Sequence, residues 1–296
     1  MYTLDLDIIG THLSLRVESS SSTSVDEDFS RIRTRFTEFE NRFSRFISEN
    51  WLHRLNQDRR GILDQDAKNM LTCALDVARS TDGYFDPTVG KRLRELGYGN
   101  PDTMICSSGN VFDEILGLSH PSEQGDYRDI LVDDMTVVLE KKVELEFGGV
   151  GKGYLLDVLH GILESYPKFL INFWGDLGGK GGWRVGLESP FASDEIIWTS
   201  VLDGKFLACS AGTKRKWGNH HHLIDPKTGE SASDVVATYI ESDSGMTADA
   251  YATALSVMPW ERATEMLEKN PQIEWVLIRA DGSVFCSRAT QCEVFR

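Results

Sequence analysis

The chain has 296 residues, 41% apolar and 26% charged, and a formal net charge of −15. That length suits one large domain or two small ones, and the charge argues against nucleic acid or anionic membrane as a bulk partner. A strongly anionic small ligand then needs a local device, either a metal ion or a cluster of backbone N–H groups.

Residues 1–17 read as two short strands, or one bent strand, broken at Gly10-Thr11. Ser19 to Ser24 reads as a polar loop, and Asp26 to Phe46 as an amphipathic helix with Phe29, Ile32, Phe36, Phe39 and Phe43 on one stripe. A second helix is predicted over Asp64 to Ser80, with Leu71, Ala74, Leu75 and Ala78 inward and Asp82-Gly83 as its stop. Asp86-Pro87 opens a turn before a third helix over Val89 to Leu96. Tyr98 to Asp129 reads as irregular, with a short helix near Val111 to Leu116. Strands follow over Ile130–Val132, Thr136–Leu139 and Val143–Phe147, then a glycine turn at Gly148–Gly153 and a helix over Tyr154–Glu164. Further strands are expected at Phe169–Phe173, Trp183–Leu187, Ile196–Leu202, Phe206–Ser210 and Val235–Ser242. Helices over Ala248–Met258 and Pro259–Lys269 and a hairpin around Asp281-Gly282 close the chain. The pattern is α+β: mixed, largely antiparallel sheets with flanking helices, in a single domain over 1–296.

Five segments offer chemistry. Glu146-Phe-Gly-Gly-Val-Gly-Lys-Gly153 lies between a predicted strand and helix, where free N–H groups can hold a phosphate. It fits neither the P-loop nor the dinucleotide fingerprint, and a tight turn without ligand explains it equally well. Asp249 and Thr253 lie four apart on one helix face, a hard-oxygen pair suited to magnesium. The plainer alternative is Thr247 as N-cap, Asp249 complementing the helix dipole and Thr253 bonded back to the preceding turn. Of His220, His221 and His222, neighbours that cannot converge on one ion in a strand, one imidazole is a general-base candidate; the other two suit an exposed loop before the turn Asp225-Pro226-Lys-Thr-Gly229. Lys214, Arg215 and Lys216 either hold a phosphate or form a solvated loop. Tyr84 and Phe85, beside Asp86, either flank a flat ring or belong to the core.

Taken in order, Gly10-Thr11, SRF (44–46) with RLN (54–56), GYFDPTVG (83–90), EFGGVGKGYLLD (146–157), NFWGD (172–176), CSAGTKRKW (209–217), HHLIDPKTG (221–229) and ADAYATAL (248–255) resemble the ApbE family of FAD:protein FMN transferases. The resemblance implies an ApbE-like fold, with two lobes and a FAD site between them as one arrangement. It implies Mg²⁺-dependent transfer of FMN from FAD to a Thr or Ser hydroxyl of a target flavoprotein, with release of AMP. It assigns FAD contacts to Ile9, Phe46, Tyr84, Phe85, Asp86, Glu146 and Lys152, magnesium ligation to the Gly149 carbonyl and the Asp249 and Thr253 side chains, and catalysis to His222. Two alternatives are a FAD pyrophosphatase giving FMN and AMP, and a FAD-binding protein without turnover. Departures from the family pattern are Trp174 for Gly, Glu146 for Asp, Gly151 for Ala and Ser231 for Pro.

Five cysteines without a CxxC pair argue against a disulfide framework or a zinc site. With no secretory signal, lipidation motif or membrane-spanning run legible, a cytoplasmic location is expected.

Overall fold

Alternation of apolar and polar residues makes the first two strands half-buried. β1 (Tyr2–Ile8) and β2 (Thr11–Glu18) pair antiparallel, with Leu13, Leu15 and Val17 turned into the core. The computed structural model describes residues 1–8, 10–98, 125–192, 195–213, 215–270 and 273–287. Ile9, Lys214 and the expected helix at 111–116 lie outside them.

α1 (Ser22–Phe43) begins inside the serine run: Ser21 is its N-cap, accepting from the Ser24 N–H, so only the start of that run is loop. The helix ends at Phe43, which leaves Phe46 beyond it rather than on its last turn. The next two elements were not expected from sequence. α2 (Trp51–Asp58) is capped by Asn50, which accepts from His53 N at 2.8 Å, and β3 is Arg60–Ile62. α2 buries only Leu52 and Leu55, too short a stripe to register as a period. α3 (Gln65–Ser80) starts on the Asp64 cap and stops where Asp82 and Gly83 take positive φ of 52° and 75°; α4 is Gly90–Glu95.

A 3₁₀ turn at Tyr127–Asp129 leads into β4 (Ile130–Asp133) and β5 (Thr136–Leu139), which join β3 in a small antiparallel sheet ordered β3-β5-β4. Among the described residues, 143–147 form no sheet ladder, contrary to the expected strand, and pair only through a bridge from Val89 to Glu144. Side chain and loop take the place of a neighbouring strand: Asn56 bonds both Leu145 N (2.8 Å) and Leu145 O (2.9 Å), and Glu146 N donates to Pro87 O (2.8 Å).

The remaining elements are α5 (Gly151–Leu163), β6 (Lys168–Phe173), β7 (Asp176–Lys180), β8 (Trp183–Glu188), β9 (Ile196–Leu202), β10 (Lys205–Ala211), β11 (Lys216–Trp217), β12 (His220–His221), β13 (Val235–Ser242), α6 (Gly245–Val257), α7 (Trp260–Glu268), β14 (Glu274–Arg279) and β15 (Val284–Cys286). The glycine-containing β7 was not expected. One eight-stranded antiparallel sheet runs β1-β2-β6-β7-β10-β13-β14-β15. Its two faces separate by strand parity: Phe206, Ala208, Ile240 and Leu277 face the core that includes the helices, while Leu207, Tyr239, Val276 and Ile278 pack with the β8–β9 hairpin around Trp198. The α+β, largely antiparallel architecture matches the sequence expectation.

α6 packs on β13, β10, α5 and α3. Its approach to α5 is close: a Cβ on Gly153 would lie 2.6 Å from the Gly245 carbonyl carbon and 2.7 Å from Met246 Cα. Gly153→Ala should therefore destabilise by about 2–3 kcal/mol through overpacking. Gly161→Ala is the control: it lies in the same helix with nothing within 4 Å of the added methyl, and it should gain about 0.5–1 kcal/mol of helix propensity. Urea midpoints of the two variants check the pair; equal effects would contradict the close crossing.

Candidate active site

Helices α5 and α6 cap each other where they cross. Asp157 of α5 accepts from Gly245 N (2.6 Å) and Met246 N (3.1 Å) at the start of α6. Asp249 of α6 returns the bond, accepting from Gly153 N of α5 at 3.0 Å. The N-cap of α6 is Ser244, which accepts from Thr247 N at 3.3 Å, so Thr247 is not the cap. Asp249 thus serves the neighbouring helix as well as its own first turns, and Thr253 makes no back-bond to a described residue.

The other Asp249 oxygen lies 3.2 Å from the Lys152 ammonium, which is also paired with Asp176. Asp176 and Asp249 are 1% and 2% exposed. Asp176 also accepts from Cys209 N at 2.8 Å. Burial opposes the charge on Lys152, but the two carboxylates outweigh it and hold its pKa above the ordinary range. Burial, with Asp249 beside it, pushes the Asp176 pKa up although Lys152 pulls against it. Two carboxylates against one ammonium leave a net negative charge at the cavity floor, which favours a further cation.

Thr253, one turn along α6, faces the glycine loop. A Cβ on Gly149 would lie 3.3 Å from Thr253 Oγ1 and 2.9 Å from the Phe85 ring, so the cradle accepts only glycine. Across the same cavity stands His222, whose ring lies 6.3 Å from that of Tyr98 at an interplanar angle of 23°. Burial, then Arg215 and its other charged neighbours, push the His222 pKa down to about 3. The imidazole is neutral, and its buried Nδ1 has no partner among the described residues. Of its neighbours, β11 pairs with β12, and His221 Nε2 lies 2.7 Å from Ala232 O, half-buried rather than in an exposed loop.

Tyr84, Phe85, Asp86, Glu146, Gly149, Lys152, His222, Asp249 and Thr253 all line this one cavity. Phe46 lies in an adjoining one, and Ile9 falls outside the described residues. Glu146 is half-buried; loss of water raises its pKa against the pull of Arg45 and the Gly148 N–H. Tyr84 and Phe85 do not form a paired clamp: Phe85 is buried beneath Gly149, and Lys227 lies 4.0 Å from the centre of the Tyr84 ring. Asp86 is committed to the backbone, one oxygen accepting from Thr88 N and Oγ1 (2.8 and 2.7 Å) and the other from Tyr127 N (3.1 Å). Burial nonetheless pushes its pKa up to about 6.

The sequence left Asp176, Tyr98, Arg45 and Trp174 without a role, yet all line one or both cavities or hold their walls; Arg215, a phosphate-holding candidate, lines both. Trp174 takes a left-handed φ of 51°, a conformation that glycine adopts without cost. The residue is 49% exposed, with Arg215 5.7 Å from the centre of its ring.

The model of the ApbE family matches residues 9–277. Curated relatives include the FAD:protein FMN transferases of Klebsiella pneumoniae (strain 342), 24% identical over 74% of this chain and 70% of that one, and of Vibrio cholerae, 26% identical over 68% and 63%. That of Rhodobacter capsulatus is 27% identical over 76% of this chain, which spans 45% of its length. Among solved structures, the Thermotoga maritima ApbE protein superposes with a TM-score of 0.83 at 24% identity, covering 97% of both chains. The apo flavinyl transferase ApbE of Pseudomonas stutzeri gives 0.81 at 16% identity, covering 97% of this chain and 95% of that one. At these identities the superpositions establish the fold.

Lys152→Met would leave two buried carboxylates without their cation, a loss of about 3–5 kcal/mol at pH 8. With Lys152 gone, the folded carboxylate pKa rises further above the unfolded value. The protonated form is then favoured in the fold, and stability falls as pH rises between the two values. The penalty measured by urea unfolding should shrink from pH 8 to pH 5; a pH-independent penalty would contradict the arrangement.

Proposed function

The chain belongs to the ApbE family, and from that premise we propose that it transfers the FMN half of FAD to a Thr or Ser hydroxyl of an acceptor flavoprotein, with release of AMP and dependence on Mg²⁺. The observation that carries the reading is the meeting of Gly149, Asp249 and Thr253 with a neutral His222 in one cavity. The relatives named above, each a FAD:protein FMN transferase, support it.

The donor set suits a hard cation: one carboxylate from Asp249, one hydroxyl from Thr253 and the backbone carbonyl of Gly149. No group of three or more His, Cys, Asp or Glu side chains suited to a metal occurs among the described residues, so backbone and hydroxyl oxygens have to contribute. Bound there, Mg²⁺ supplies charge neutralisation on the pyrophosphate oxygens. The protein supplies the rest. Lys152 offers a fixed positive charge beside the pyrophosphate and holds Asp249 in place. His222 Nδ1, without a partner, takes the proton of the acceptor hydroxyl as its oxygen bonds to the FMN phosphorus and the bond to AMP breaks. FAD lies across the two adjoining cavities of a single domain, with its pyrophosphate nearest Lys152.

Incubation with FAD, Mg²⁺ and an acceptor flavoprotein should release AMP and add one FMN mass to the acceptor. His222→Ala should lower kcat/KM about 10²–10⁴-fold. Asp249→Ala should remove the response to Mg²⁺. Because the free-enzyme imidazole titrates near 3, kcat/KM should show no inflection near pH 6.5 from this residue. Absence of AMP would contradict the mechanism; an acid limb at 6.5 that vanishes in His222→Ala would keep His222 as the base but contradict its lowered pKa.

A further inference from the structure

His222 stands on an excursion from the large sheet. The chain leaves at Ala211, the end of β10, and returns at Val235, the start of β13. Between them it folds back on itself: Ile224 bridges Ser231, Asp225 N donates to Glu230 O (2.9 Å) and Gly229 N to Asp225 O (2.8 Å). Leu93 and Leu96 cluster with Trp217 and Ile224, which keeps this hairpin beside α4. Apolar packing is non-directional, however, and does not fix how the hairpin is set. Directional bonds do. On the limb before His222, Trp217 Nε1 donates to Leu96 O at 2.6 Å. On the limb after it, Arg92 of α4 donates from Nε to Gly229 O (2.7 Å) and from Nη2 to Glu230 Oε1 (3.0 Å). Lys227 also pairs with Asp82 at 3.0 Å, but that pair is exposed and holds little.

Arg92 contributes little as a mere anchor. It is 7% exposed, lines neither of the two cavities described above, and leaves Nη1 without a hydrogen-bond partner among the described residues. Glu95 lies 3.8 Å from that nitrogen, too far for a hydrogen bond. A buried, incompletely bonded guanidinium adds little stability over an apolar side chain of similar size. What it adds is geometry, because a planar fork that grips two acceptors fixes both the distance and the orientation of the backbone it holds. We propose that Arg92 is a positioning residue for His222: by gripping Gly229 and Glu230 it sets where the imidazole stands in the cavity. The assignment rests on the reading of His222 as the base of the transfer reaction. Arg92 acts through the hairpin, not by contact with FAD or the reacting atoms.

The test follows AMP release at saturating FAD, Mg²⁺ and acceptor flavoprotein, with FAD binding measured by calorimetry. Arg92→Met should lower kcat about 10–100-fold, the scale of a reacting group displaced by about an ångström, with the FAD Kd unchanged within about twofold. The retained Kd shows that the variant folds. Arg92→Lys, which keeps the charge and fills one of the two bonds, should fall between Arg92→Met and the wild type, and it carries the same comparison if Arg92→Met does not fold. In a His222→Ala background, adding Arg92→Met should change the residual single-turnover rate by less than about twofold, because nothing is left to position. An equal loss in both backgrounds, a wild-type kcat in Arg92→Met, or a fall in FAD affinity parallel to kcat would overturn the assignment. A wild type that binds FAD but releases no AMP overturns the transferase reading, and full activity in His222→Ala overturns the role of the histidine; the assignment falls with either.

Discussion

Lys152 leaves the first turn of α5 and ends between two carboxylates from different parts of the chain, Asp176 at the start of β7 and Asp249 in α6. That triad joins the central sheet to the two helices that line the cavity. Asp249 is fixed twice, by the ammonium and by the Gly153 N–H, and the close contact of Gly153 with Gly245 sets the distance at which both bonds form. Displace that crossing and the position of Thr253 relative to Gly149 changes with it.

The same triad reconciles an acidic protein with an anionic ligand. At a net charge of −15 the surface as a whole repels a pyrophosphate. Locally the balance differs by zone. Lys152 and Arg215 line both cavities and Arg45 the second, while the floor beneath Lys152 keeps a net negative charge fit for a metal. Cation and anion would thus bind as one neutralising unit, each lowering the cost of the other.

Much of this was legible in the sequence because it is local. The β1–β2 hairpin follows from alternation around Gly10, and α3 from its period and its Asp82-Gly83 stop. The ordered motifs brought Gly149, Lys152, His222, Asp249 and Thr253 into one cavity. What escaped is non-local. Asn56 completes the backbone bonding of Leu145, 89 residues away, so residues 143–147 have strand composition without a strand partner. The Lys152–Asp176 and Lys152–Asp249 pairs span 24 and 97 residues, and no spacing rule connects them. Tyr84 and Phe85 are adjacent in a motif, yet one is half-exposed under Lys227 and the other buried under Gly149. Arg45 went unassigned because its place over the Phe46 and Tyr98 rings is set by the fold, 53 residues apart for the latter.

The account depends on one hard cation held by Gly149, Asp249 and Thr253. Substituting Mn²⁺ and following its EPR signal in the presence of FAD measures this directly. One tightly bound ion per chain is predicted, weakened by at least about 10-fold in both Asp249→Asn and Thr253→Val, because loss of even a residue that only orients a ligand costs about 10–100-fold. Mn²⁺ bound with wild-type affinity in both variants would place the cation elsewhere and contradict the account.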